Sequence, residues 1–144
     1  MAGRDEQGTG FTDEEKAAVK ERAREARAAK RLTPEQAEAE VLARIAELPD
    51  DDRAIAETVH RLVKEHAPHL TARTWYGMPA YAKDGKVLAF VQPASKFKAR
   101  YATLGFNDVA ALDDGPMWPT AFALTALTPQ VEAQVADLLR RAAG

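Results

Sequence analysis

The sequence predicts an α+β protein, in which an antiparallel meander of about five strands is packed on one face by helices. Three observations predict it. Apolar residues recur at helical spacing before Pro68, change to strand-like alternation after Thr71, and return to helical spacing after Thr128. A run of strands that follows a run of helices favours an antiparallel sheet with helices on one face. An N-terminal helical extension precedes this domain.

Composition limits the function classes. The chain has 144 residues, which is enough for one domain, and it carries a net charge of -2 and no cysteine. The absence of cysteine excludes disulfides, thiolate metal sites and cysteine nucleophiles, and the charge disfavours nucleic acid as a partner. No apolar run reaches the roughly 18–20 residues of a membrane span. Residues 1–10 lack the apolar core of a signal peptide. We therefore expect a cytoplasmic protein with no membrane partner.

Residues 1–32 form the predicted arm, which is charged, helical and partly disordered. Thr12 to Glu15 has the form of a capping box, and the helix that follows to about Lys30 consists almost entirely of Ala, Glu, Lys and Arg. Val19 is its only bulky apolar residue, so the helix gains little by packing. Two interpretations stay open: a solvated arm, or an arm that lies on a second subunit or a partner and so forms a homodimer or interaction module.

Two helices begin the single domain predicted for residues 33–144. A capping box over residues 33–36 opens the first helix, and Pro49 ends it. One of the aspartates at 50–52 is expected to cap the second helix, which Pro68 stops. Their apolar stripes contain Val41, Ile45 and Leu48 in the first helix and Ile55, Val59, Leu62 and Val63 in the second. The two helices are therefore expected to pack together.

The strands follow, separated by turn signals. Gly77-Met78-Pro79 is expected to break the first strand, because glycine permits positive φ and proline removes a donor. Asp84-Gly85 predicts a two-residue hairpin turn. Thr128-Pro129 predicts the start of a final helix. The predicted strands cover residues 73–76, 81–83, 86–91, 98–104 and 120–125.

One motif resembles a known family. Trp75-Tyr76-Gly77-Met78-Pro79-Ala80-Tyr81, followed by Asp84-Gly85-Lys86, is similar to the signature of the DUF1801 family, also called YdhG-like. Trp118-Pro119 and the last helix match its layout, so the resemblance covers residues 48–142. It implies a curved antiparallel sheet similar in outline to frataxin. Some members are labelled iron chaperones, and iron is the one cofactor that the resemblance implies.

The aromatic residues suggest a candidate binding surface. Apart from Phe11, every aromatic residue lies between Trp75 and Phe122. Lys96, Lys98 and Arg100 alternate along a predicted strand and would share a face. The candidate ligand-binding residues are Trp75, Tyr76, Met78, Tyr81, Lys96, Lys98, Arg100 and Trp118. Rings beside cations suit a small anionic molecule or a partner protein. The plainer alternative is an amphipathic strand with its rings in the core. A further alternative makes Met78-Pro79 a ligand loop with a cis peptide bond.

Other chemistries have weaker support in the sequence. His60, His66 and His69 lack the spacing that brings three metal ligands together. The carboxylates at Glu47, Asp50, Asp51, Asp52 and Glu57 could form an oxygen site for iron, although acids at a helix start also complement its dipole. Ser95 is the only serine and lies in no nucleophile elbow. No catalytic residue is predicted, and the sequence favours a non-catalytic binding protein.

Overall fold

The computed structural model describes residues 12–29 and 32–144, and the predicted disorder of residues 1–10 lies outside them. The helices are α1 (Asp13–Ala29), α2 (Pro34–Ala46), α3 (Asp50–His66) and α4 (Pro129–Ala143). The strands are β1 (Thr71–Trp75), β2 (Met78–Lys83), β3 (Lys86–Gln92), β4 (Ala102–Phe106) and β5 (Ala121–Leu124). All four neighbouring pairs are antiparallel, in the order β1-β2-β3-β4-β5. The predicted α+β meander with an N-terminal helix is confirmed.

Local capping explains where most helices begin. The Thr12 and Thr33 hydroxyls accept hydrogen bonds from the Glu15 and Gln36 amides, and in each box the N3 side chain reaches back. Thr128 accepts from the Val131 amide in the same way. The predicted aspartate cap of α3 is wrong. Pro49 occupies the N-cap position, and Asp50, Asp51 and Asp52 form the first helical turn. Their charge still favours that end of the helix dipole.

The helices and one face of the sheet enclose a single apolar core. Strand alternation supplies one side of it, since cross-strand partners such as Val91 and Leu104 share a face. The most deeply buried large members are Val41, Ile45, Val59, Val63, Tyr81, Leu88, Val91, Leu104 and Leu139. Helices longer than the strands thus cover the meander from one side. Within residues 12–29 and 32–144, no helix combines the length and apolar character needed to cross a membrane.

Two-residue turns close the first two hairpins. Tyr76-Gly77 joins β1 to β2 with φ of 53° and 76°, and Asp84-Gly85 joins β2 to β3 with φ of 51° and 80°. Two consecutive positive φ angles are typical of a type I′ turn, whose twist matches that of the strands. The predicted break at Gly77-Met78-Pro79 is therefore misplaced: Met78 pairs with Trp75, and Pro79 lies inside β2. The described residues contain no cis peptide bond.

The predicted strand over residues 98–104 is partly wrong. A short 3₁₀ helix covers Ser95–Phe97, Lys98 is left-handed with φ of 55°, and β4 begins only at Ala102. The cause lies on α3. The buried Asp52 carboxylate accepts from the Ala94 amide at 3.1 Å, the Ser95 amide at 3.0 Å and the Ser95 hydroxyl at 2.5 Å. This arrangement, which we call the Asp52 clamp, turns the chain, so the three cations at 96, 98 and 100 do not alternate on one strand.

Candidate functional site

The Tyr76-Gly77 turn carries an unusual residue at its first position. Type I′ turns favour Asn, Asp or Gly there, and a bulky side chain at positive φ is rare. The Tyr76 ring meets the Trp75 ring edge-on, with centroids 4.8 Å apart, and the Trp75 ring lies 5.2 Å from that of Phe90. The Arg22 guanidinium lies 5.7 Å from the centre of the Tyr76 ring. These ring contacts maintain a backbone conformation that the residue itself disfavours.

A carboxylate from α1 lies directly against this turn. The Glu21 side chain, which is only 13% exposed, forms ion pairs with Arg44 and with Lys96, whose Nζ is 3.7 Å away. A Cβ atom on Gly77 would lie 2.5 Å from Glu21 Oε1 and 2.6 Å from Lys96 Nζ. Glycine suits this position, because its φ of 76° disfavours other residues and because a side chain would displace the ends of Glu21 and Lys96. We call Glu21, Arg44, Gly77 and Lys96 the turn cluster.

Charged contacts attach α1 to the domain more than apolar ones do. Between Asp13 and Arg24, Ala18 is the buried side chain of α1, whereas Val19 is 47% exposed. Glu14 Oε2 lies 2.8 Å from Lys98 Nζ. That hydrogen bond lowers the pKa of Glu14 and raises the pKa of Lys98. The described part of the arm thus lies on its own domain, through contacts that salt and pH can weaken.

A cleft of about 410 Å³ opens between α1, α2 and β1, next to the turn cluster. Its volume is within the range typical of small-molecule sites. Arg24, Arg44 and Arg73 line it, together with Glu40 and Glu47 from the α2 side. Arg24 and Arg44 both bond to Glu21, so the arginine-lined cleft and the turn cluster are continuous. We call this space the arginine cleft.

Arg73 is the third arginine of the cleft, and its contacts differ from those of Arg24 and Arg44. It belongs to β1, is half-buried, and its Nε donates to the Thr74 carbonyl at 3.2 Å. Among the residues that the structure describes, it forms no ion pair, in contrast to the other two arginines. Its terminal nitrogens therefore remain the strongest candidates to bind an anion from solution.

The structure brings only some of the predicted site residues together. Trp75 and Met78 face each other across β1 and β2, beside Tyr76, and Lys96 belongs to the turn cluster. Lys98 contacts α1 from a side chain that is 79% exposed. Four of the eight predicted residues therefore lie around the Tyr76-Gly77 turn, and Lys98 lies at the edge of this group.

The other three predicted residues lie elsewhere. Arg100 stacks on the Tyr101 ring, with its guanidinium carbon 5.2 Å from the ring centre. Trp118 packs against the core that the helices cover. Tyr81 lies three positions after Met78 on β2, so its side chain points to the opposite, helix-covered face. The ring of Tyr81 is therefore in the core and does not flank the turn.

Tyr81 takes part in a buried polar chain that the sequence did not reveal. Its hydroxyl lies 2.9 Å from His60 Nδ1, and His60 Nε2 lies 2.8 Å from Glu38 Oε2. Lys64 donates to the other oxygen of Glu38 at 3.1 Å. The hydrogen bonds from Lys64 and then His60 lower the pKa of Glu38, whereas burial, followed by the Glu38 charge, raises the pKa of Tyr81. The chain satisfies groups that would otherwise be buried without partners.

Groups considered for metal binding have other partners. His66 Nδ1 lies 2.9 Å from an Arg140 nitrogen, and His69 contacts the Ala143 carbonyl at 3.3 Å. The Asp52 carboxylate accepts the three hydrogen bonds of the Asp52 clamp. Within the described ranges, no three His, Asp or Glu side chains are grouped as metal ligands would be.

Three residues that line or border the cleft were not predicted from the sequence: Glu21, Arg44 and Arg73. The first two lie on helices rich in charge, where a single ion-pairing residue has no distinguishing signal. Comparison with known proteins adds no further identification. No family model matches the chain, and no curated protein or solved structure matches it significantly.

Proposed function

We propose that this protein is a non-catalytic binding protein that holds a small anionic molecule in the arginine cleft, beside the aromatic turn. The observation that supports it most is Arg73, a half-buried arginine that lines a cavity without an ion-pair partner among the described residues. A guanidinium presents a planar set of donors that matches a carboxylate or a phosphate, and desolvation strengthens such a bond.

The other charges of the cleft set the kind of anion. Arg24, Arg44 and Lys96 share the single carboxylate of Glu21, and two further carboxylates, those of Glu40 and Glu47, line the α2 side of the cleft. A polyanion would be repelled by these two carboxylates. A molecule with one anionic group and several hydroxyl or amine donors would bind Arg73 at one end and the glutamates at the other. We therefore favour a singly charged, hydrogen-bonding metabolite.

The family assignment remains part of this proposal. The motif from Trp75 to Tyr81, followed by Asp84-Gly85, supports a relationship to the DUF1801 or YdhG-like family. In this chain the first half of that motif forms the aromatic turn next to the cleft, and its last residue, Tyr81, anchors β2 to α3. The motif would then be a structural signature of the residues around the site, and Arg73, two residues before Trp75, would be the anchoring residue.

Calorimetric titration tests the proposal. The purified chain is titrated with inorganic phosphate, with lactate and with an aldonic acid, and the experiment is repeated with Arg73→Gln. Loss of a charge-assisted pair should weaken binding by about 10- to 100-fold. Arg100→Gln is the matched control, since Arg100 stacks on Tyr101 outside the cleft. Equal affinity in both variants would contradict the proposed site, as would the absence of binding to all three anions.

A further inference from the structure

We infer that the turn cluster is a second binding site, specific for a carboxylate, which the chain fills with its own Glu21. The site consists of Lys96, Arg44 and the space that Gly77 leaves open. Its ligand is a small monocarboxylic acid whose carboxylate takes the place of that of Glu21. The two sites are told apart by their anchoring residues, which are Lys96 here and Arg73 in the arginine cleft, while Arg44 borders both.

The cations of this site belong to the domain and not to α1. Arg44 is on α2, and Lys96 follows Ser95, which the Asp52 clamp holds by three hydrogen bonds. The clamp fixes the backbone next to Lys96 to α3, and α2 carries Arg44, so both cations stay attached to the domain when α1 moves away. What remains is a preorganised pair of charges with its counter-ion removed, which is the arrangement that favours an anion.

The Tyr76-Gly77 turn provides the space in which the carboxylate lies. Tyr76 and Gly77 both have positive φ, and the ring contacts of Tyr76 maintain this conformation. A Cβ at position 77 would lie 2.5 Å from the carboxylate oxygen of Glu21, so the absence of a side chain creates the volume that a carboxylate occupies. Strained backbone beside a close approach of this kind is concentrated at ligand sites.

α1 is bound to the domain weakly enough for a ligand carboxylate to replace that of Glu21. Ion pairs near the surface are weak, and α1 adds to them the burial of Ala18 and the contact of Arg22 with the Tyr76 ring. Glu21 nevertheless competes well with a free ligand, because a short tether gives it an effective concentration in the millimolar range. A ligand acid must therefore displace Glu21, and α1 with it, to enter.

Removal of the internal carboxylate makes the site measurable. The full chain with Glu21→Ala is titrated with acetate, and binding is followed through the amide resonances of Gly77 and Lys96. We expect this variant to bind acetate at least tenfold more tightly than the unmodified chain does. Adding Lys96→Ala should abolish the gain. Adding Arg73→Gln should leave it unchanged, which separates this site from the arginine cleft.

Glu14→Ala is the matched control. It removes the Glu14–Lys98 ion pair between α1 and the domain but leaves Glu21 over Gly77, so this variant should bind acetate no better than the unmodified chain. The amide spectrum of each variant verifies that the domain is folded. The inference is overturned if Glu21→Ala shows no gain in acetate affinity, or if the gain survives Lys96→Ala.

Discussion

The two hairpin turns at the ends of β2 have nearly the same backbone and very different surroundings. Tyr76-Gly77 and Asp84-Gly85 are both two-residue turns with positive φ at each position. A Cβ on Gly85 would meet no described atom within 4 Å, whereas one on Gly77 would collide with Glu21 and Lys96. The same local geometry therefore forms an exposed turn at the rim of the arginine cleft at one end of the strand, and a turn packed against charged side chains at the other.

The first residue of each turn shows what maintains it. Aspartate is well suited to the left-handed conformation, so Asp84 needs no tertiary support. Tyr76 is poorly suited, and its conformation depends on the rings of Trp75 and on Arg22 of α1. One turn is determined by its own sequence, and the other by its neighbours. Variants that affect the neighbours should accordingly act on the two turns unequally.

The largest effect is expected from the Asp52 clamp, which positions Lys96 beside the Tyr76-Gly77 turn. Asp52→Ala leaves two backbone amides and the Ser95 hydroxyl without their acceptor, so the free energy of unfolding should fall by about 3 kcal/mol in urea denaturation. Asp51→Ala, exposed on the same helical turn, should change it by less than about 0.5 kcal/mol. Similar losses in the free energy of unfolding of the two variants would show that the clamp contributes no more than an exposed aspartate does.

The glycines give a direct comparison of the turns. Gly85→Ala should lower the free energy of unfolding by about 1 kcal/mol, because alanine disfavours positive φ. Gly77→Ala should cost about 2 kcal/mol, since its Cβ must also displace the ends of the Glu21 and Lys96 side chains. Hydrogen exchange of the α1 amides should accelerate in Gly77→Ala alone. Acceleration in both variants would remove the distinction between the turns.

Tyr81→Phe should act on both turns alike, because Tyr81 lies on β2 between them. Removing its hydroxyl leaves His60 Nδ1 without a partner on the sheet, and we expect a loss of about 1 kcal/mol in the free energy of unfolding. Amide exchange at Gly77 and Gly85 should then rise by the same factor. A response confined to one turn would mean that the buried chain supports that turn specifically.

The smallest effect on the α1 contacts is expected from lowering the pH. The Lys98 hydrogen bond lowers the pKa of Glu14 below its ordinary value of 4.5, so the contact is fully present above pH 4.5 and is lost as the pH falls through the lowered pKa. The amide resonances of α1 should shift in that window, whereas that of Leu88, which is buried in β3, should not. Glu14→Gln should reduce the α1 shift. An unchanged titration in that variant would contradict the role of Glu14.

The parts of the site that depend on neighbouring residues in the sequence could be predicted, and the parts that depend on distant residues could not. The rings around Gly77 and the cation Lys96 could be named as candidates from the sequence, whereas the turn itself lies at Tyr76-Gly77 and not at the predicted Gly77-Met78-Pro79. Alternation of cations from 96 to 100 was wrong, because the Asp52 carboxylate that bends this segment is 42 residues away from Ala94. Arg73, inside a short strand of mixed polarity, had no local feature to distinguish it.

The sequence by itself determined the order of helices and strands, the helix starts at threonine caps and the Asp84-Gly85 turn. These depend on periodicity, capping and backbone preference, which act within a few residues. The tertiary structure alone decided that Glu21 meets Gly77, that Asp52 meets Ser95 and that Arg73 faces a cleft. Such contacts join charges on elements far apart along the chain, and their energies exist only once packing has brought those elements together.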